Sequence, residues 1–203
     1  MRLPLMLQAH LTPEQKPLYE DMKKGIEANF KGFTAIADNG ALIGPWNPWL
    51  TFPAIGGPMW ELVKALSNPK TSVLPKPVRE IVILATGANF HSGYELYAHV
   101  LMAELRGLSD KTIASVLAGQ RPDSLDDDAT CAYEVVSALL RGGVLPELLY
   151  QNAIARFGKD GTAELIYLIG LYCMVSITLN GFDVPIPQKT EGVPEPKPAA
   201  REA

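Results

Sequence analysis

Apolar residues recur along most of this chain at intervals of three and four, the spacing that places them on one face of a helix. Near the N-terminus, Thr12-Pro13-Glu14-Gln15 combines an N-cap residue, a proline at the first helical position and a side chain able to close a capping box. Leu18, Met22, Ile26 and Phe30 follow at fourfold spacing and predict the first helix. From Gly32 to Pro58 the pattern breaks at Gly40, Gly44, Pro45, Pro48, Pro53, Gly56, Gly57 and Pro58, with Trp46 and Trp49 between them. This stretch reads as a long irregular connection with one or two short helical turns, pinned to the domain surface by its aromatics. A second helix is expected from about Ile55 to Ser67, with Met59, Leu62, Val63 and Leu66 inward.

Pro75 and Pro77 open a third helix that runs to about Asn89. Its Ile81-Val82-Ile83-Leu84 run suits a strand by propensity, but the chain offers no comparable strand to pair with it, so a helix is expected. Ser92-Gly93-Tyr94-Glu95 fits a capping box for a fourth helix ending at Arg106-Gly107. Ser109 caps a short helix to Ala118-Gly119, and Ser124 caps one from Leu125 to Arg141. Two more follow, from Pro146 to Phe157-Gly158 and from Thr162 to Leu179. The apolar run Leu165 to Leu179 falls short of the roughly 20 residues that cross a bilayer, and reads as a buried core helix. Beyond Pro185 the chain is rich in proline and poor in apolar residues, which predicts a disordered or extended tail. The fold class is all-α. Residues 1–54 form a helix and an extended arm, 55–184 the helical domain, and 185–203 the tail.

A length of 203 residues suits one globular domain, and 47% hydrophobic residues exclude wholesale disorder. With 18 basic against 22 acidic residues and a net charge of −4, no nucleic-acid or anionic membrane partner is expected. Cys131 and Cys173 lie far apart and outside any C-x-x-C or Cys/His cluster, which argues against a disulfide scaffold or a thiolate zinc site. They read as small core residues. MRLPLMLQAHL lacks both a clean apolar core and a small-residue cleavage site, so no signal peptide is read and a cytoplasmic protein is expected.

One helix carries candidate chemistry. The segment from Ser92 to Arg106 is apolar almost all round, yet at about 100° per residue Ser92, Glu95, His99 and Arg106 fall on one narrow stripe. Glu95 and His99 are four apart and therefore neighbours on that face. A carboxylate beside an imidazole on a buried helix fixes a histidine tautomer and tunes it for proton transfer near neutrality. Glu80, one turn into the preceding apolar helix, adds a second carboxylate. Plainer roles stand beside this: a capping box for Ser92 and Glu95, a helix-dipole partner for Glu80, a structural histidine at 99.

At these residues the chain resembles the carboxymuconolactone decarboxylase family, which is related to the alkylhydroperoxidase-like disulfide reductases. Arg79-Glu80-Ile81-Val82, Asn89-Phe90, Tyr94-Glu95, Ala98-His99, Ala103 and Gly107-Leu108-Ser109 carry the likeness over Val78 to Ala118, and it extends more loosely over Leu42 to Pro187. The resemblance implies an all-α bundle associating into trimers or hexamers. The redox branch of that family sets a glutamate, a C-x-x-C pair and a histidine at fixed spacing. Here Glu80 and His99 match, but Ser92 and Glu95 stand where the cysteines would be. A thiol–disulfide cycle needs two thiols, so the pattern is that of the decarboxylase-like branch.

What the resemblance implies is a carbon–carbon lyase: cofactor-free acid/base decarboxylation, or related lyase or isomerase chemistry, of a small lactone or carboxylic acid. His99 is expected to transfer the proton, with Glu80 orienting it and Glu95 as its partner or as a second acid/base. Arg79 is a candidate for a substrate carboxylate, and Ser92 and His91 are candidate substrate contacts. His91, Glu95 and His99 also stand at ligand-like spacing, but His91 precedes the helix and no metal or other cofactor is expected. The alternatives are a peroxidase or disulfide reductase, and a non-catalytic oligomeric ligand-binding protein.

Overall fold

The structure is a computed structural model that describes residues 1–187. After a short 3-10 turn at Gln8–His10 come α1 (Gln15–Asn29), α2 (Trp46–Thr51), α3 (Pro53–Leu66) and α4 (Lys76–Asn89). They are followed by α5 (Gly93–Leu105), α6 (Asp110–Leu117), α7 (Asp127–Leu140) and α8 (Glu147–Gly181). Among the described residues the only β pairing is an isolated bridge between Ile36 and Leu42. Most of the predicted tail lies outside the described residues.

Helix α4 is the hub. It packs against α5, α6, α7 and α8 together, so Ile81, Val82, Ile83 and Leu84 are all buried. Those side chains meet α7 residues Val135 and Val136 and α8 residues Leu165 and Leu168 in one hydrophobic cluster. A strand-like run becomes helical here because every side of the helix finds an apolar partner. A second cluster joins α1, α2 and α3 to Tyr94 and Ala98 of α5 and to Leu171, Val175 and Leu179 of α8. The N-terminal arm is thus not merely pinned to the surface. Trp46, Trp49 and Leu50 are buried and help to build this second core.

Local signals explain where the helices begin. Thr12 and Gln15 form the reciprocal capping box, with Gln15 N–H donating to Thr12 Oγ1 at 3.3 Å and Thr12 N–H to Gln15 Oε1 at 3.0 Å. Ser109 accepts from Thr112 N–H at 3.1 Å and caps α6. The cap expected at Ser124 falls instead to Asp126, which accepts from Ala129 N–H at 2.8 Å, and α7 starts two residues later than predicted. Ser92 stands at the N-cap position of α5 but its hydroxyl caps nothing, so the predicted box with Glu95 does not form.

The two last predicted helices stack end to end as α8, broken at Gly158, whose φ of 68° is left-handed and suits glycine. By length and composition alone α8 could cross a membrane, but half of its most apolar window is buried within the protein. It is two-faced rather than fully buried. Leu165, Leu168, Ile169 and Leu171 face inward, while Ile166, Tyr167, Met174 and Ile177 are exposed.

A buried ion pair ties α8 to the start of α4. Glu164 accepts from Ser72 Oγ at 2.7 Å and from the backbone N–H groups of Val73 and Leu74 at 2.7 and 3.1 Å, and it pairs with the Arg79 guanidinium. Truncating one member of a buried pair strands the other charge, at about 3–5 kcal/mol. Glu164→Ala is therefore expected to lower stability by about that amount in urea-unfolding experiments, and a loss under about 1 kcal/mol would mean that Arg79 re-solvates freely.

Candidate active site

Glu80 is fully buried on α4, and His99 and Glu95 are almost so on α5. Because α4 and α5 pack against each other, the Glu80 carboxylate reaches the imidazole, with Oε2 2.7 Å from His99 Nδ1. Its other oxygen accepts from the Arg106 guanidinium, at the end of α5. The second imidazole nitrogen, Nε2, lies 3.3 Å from Glu95 Oε1 without hydrogen-bond alignment, and that carboxyl oxygen has no other partner. The imidazole is braced edge-to-face against Tyr172 of α8, with ring centroids 5.1 Å apart.

The geometry sets the protonation pattern. Arg106 balances the Glu80 charge, so Glu80 holds a proton on His99 Nδ1 and leaves Nε2 with its lone pair toward Glu95. Burial lowers the His99 pKa from its ordinary value; the nearby Glu95 raises it and Arg79 lowers it. Burial raises the Glu95 carboxyl to about 7, with His99 opposing the shift. A carboxyl that titrates near neutrality thus faces an imidazole made less basic than usual. Such a pair can give or take a proton at physiological pH.

Glu95, His99 and Tyr172 open on a cavity of about 30 Å³, otherwise walled by apolar and aromatic side chains that include Phe30, Phe33, Trp46 and Trp49. That is room for about one or two waters. Phe30 and Phe33 are half-buried and come from the end of α1 and the irregular segment after it. A larger ligand has to displace this aromatic wall.

The other residues singled out from the sequence lie differently. Arg79 is engaged by Glu164 and Ser72 rather than free for a carboxylate. His91 is exposed, in the turn before α5, with a left-handed φ of 50°. It joins neither the cavity nor a metal cluster, and no group of three or more His, Cys, Asp or Glu among the described residues could hold a metal ion. Ser92 is buried with an unpartnered hydroxyl and is not among the cavity-lining residues. Arg106 lies on the same helical stripe as His99, so its place at the site had a sequence signal. Tyr172 had none, because nothing local in α8 encodes what α5 will meet.

No family model and no curated protein matches the chain. Two solved structures do. The debrominase Bmp8 without ligand is 14% identical, with a TM-score of 0.65 over 87% of this chain and 90% of that one. A cysteine-to-alanine variant of Bmp8 in complex with 2,3,4-tribromopyrrole is 12% identical, with a TM-score of 0.66 over 92% of each chain. The likeness is one of fold. The all-helical bundle expected from the sequence is the fold the structure adopts, and Bmp8 shares it.

Glu95 also leaves a mark on stability. Its folded pKa lies above its ordinary value of 4.5, so the native state binds more protons than the unfolded one between about pH 4.5 and 7. Stability from this group is complete below 4.5 and is lost as pH rises through about 7, a change of ~3 kcal/mol. Glu95→Gln is expected to be the more stable protein at pH 8 and to lack this component in pH-resolved urea titrations. A native and variant pair with parallel pH profiles would contradict it.

Proposed function

We propose that this protein is a cofactor-free acid/base enzyme acting on a small planar lactone or carboxylic acid, with decarboxylation as the favoured reaction. The observation that carries the reading is the buried line of Glu80, His99 and Glu95, braced by Arg106 and opening on an aromatic-walled cavity. The resemblance to the carboxymuconolactone decarboxylase family, through Glu80, Glu95 and His99, supplies the reaction type.

In that reaction the bond between the substrate carbon and its carboxylate breaks and CO₂ leaves. The electron pair passes into the conjugated carbonyl as an enolate, which then takes a proton on carbon. Glu95 in its protonated form delivers that proton. His99, held with Nδ1–H on Glu80, offers Nε2 as the relay by which solvent restores it. One proton is consumed for each CO₂ released. Glu80 and Arg106 act through His99 as positioning residues. The low polarity of the aromatic wall strengthens these electrostatic effects at the reacting oxygen.

The aromatic wall also suits planar ligands, and the Bmp8 complex holds one, a tribromopyrrole. Chemistry that needs a thiol is less favoured. Cys131 and Cys173 are both free and neither lines the cavity, and burial raises both thiols above their ordinary pKa.

Proton transfer at carbon can be followed without the natural substrate. The native protein is expected to accelerate deuterium incorporation from D₂O into the activated ring carbon of 2(5H)-furanone, read by NMR. His99→Ala and Glu95→Gln should each be slower by about 10²–10⁴-fold. No acceleration by the native protein, or full activity in His99→Ala, would overturn the reading.

A further inference from the structure

The chain has three tryptophans, and two of them treat their indole N–H groups differently. Trp60 donates to Asp21 Oδ2 at 2.8 Å. Trp46 is only 4% exposed, and its Nε1 is buried with no hydrogen-bond partner. A buried indole N–H ordinarily finds an acceptor. Trp46 lines the cavity that also holds Glu95 and His99. Its ring is held by two neighbours: Phe33 stacks on it at 6.3 Å and 17°, and Phe30 meets it edge-on at 5.5 Å and 67°. The indole ring is thus held by its neighbours, and its N–H has no acceptor of its own.

We infer that the Trp46 indole N–H is the site's substrate-binding donor, reserved for a carbonyl or enolate oxygen of a small planar ligand that takes the place of the half-buried Phe30 ring beside Phe33 and Trp49. This assignment rests on the function proposed above and names the ligand chemistry that the acid/base pair would serve. Glu95 and His99 handle the proton at carbon, so the negative charge that builds on oxygen needs a different group. A neutral donor in an aromatic-walled pocket supplies that without adding a charge to be desolvated. The same feature gives selectivity, because a ligand lacking the oxygen leaves the donor unpaired while a ligand bearing it does not.

Two ligands of like shape separate the donor's role from mere packing: 2(5H)-furanone, which carries the carbonyl, and cyclopentene, which does not. In the native protein labelled with ¹⁵N-indole tryptophan, furanone is expected to move the Trp46 indole proton downfield. Cyclopentene should not, and the Trp60 resonance should stay in place with both as a report of intact folding. Trp46→Phe should weaken furanone binding by about tenfold and cyclopentene binding by less than about twofold. Trp46 also belongs to the second core, so the variant is expected to melt below the native protein, and the two ligands are compared at a temperature where it is folded.

Equal indole shifts with both ligands, or equal weakening of both by Trp46→Phe, would overturn the assignment. The native-protein measurement keeps the test decisive if the variant folds badly. Failure here differs from failure of the proposed function. A furanone-specific Trp46 shift without deuterium exchange sinks the acid/base reading and keeps the donor. Normal exchange with an unmoved Trp46 resonance sinks the donor and keeps the acid/base reading.

Discussion

A fully buried carboxylate in the middle of a helical bundle is costly to place, and Glu80 is tolerated because both of its oxygens are answered. His99 takes one and Arg106 the other, and both come from α5. The requirement that α4 and α5 supply these partners sets how the two helices pack, and with it the orientation of the imidazole. Glu164 does the same work beside it, where it collects Arg79, Ser72 and two backbone N–H groups and fastens α8 to the approach of α4. The bundle is therefore registered by two buried carboxylates as much as by apolar contact.

The site lies where the two hydrophobic clusters meet. Tyr172 packs against both and braces His99 edge-on. On one side stands the α4 core, which orients the histidine. On the other stands the arm, which excludes water and supplies the aromatic wall. Desolvation at this seam raises Glu95 to about 7 and lowers His99, so the carboxyl becomes a weaker acid and the imidazole a weaker base than either is in water. The energy that burial takes from Glu95 at high pH is thus the same energy that makes it a usable acid near neutrality.

Much of the architecture was legible from short-range signals. The capping box of Thr12 and Gln15, the Ser109 cap, the break at Gly158 and the end of α5 near Gly107 all stand where local chemistry places them. The two misplaced caps have different physical causes. Ser124 loses to Asp126, a stronger acceptor two residues on. Ser92 and Glu95 match a capping box in sequence, but in the fold Glu95 is turned toward His99. A side chain offered both a local and a tertiary partner cannot be assigned from the local one alone.

The sequence by itself determined the helical class, the approximate helix limits and the alignment of Glu95, His99 and Arg106 on one stripe, because all of these follow from the 3.6-residue period of a single helix. Only the tertiary structure decided that Arg79 belongs to Glu164 and that His91 stays in solvent. It also brought Trp46 and Tyr172 to the histidine from 53 residues before it and 73 after it. Those outcomes depend on which helices pack together. Packing is governed by the total apolar surface removed from water, a property of the whole chain that no local pattern contains.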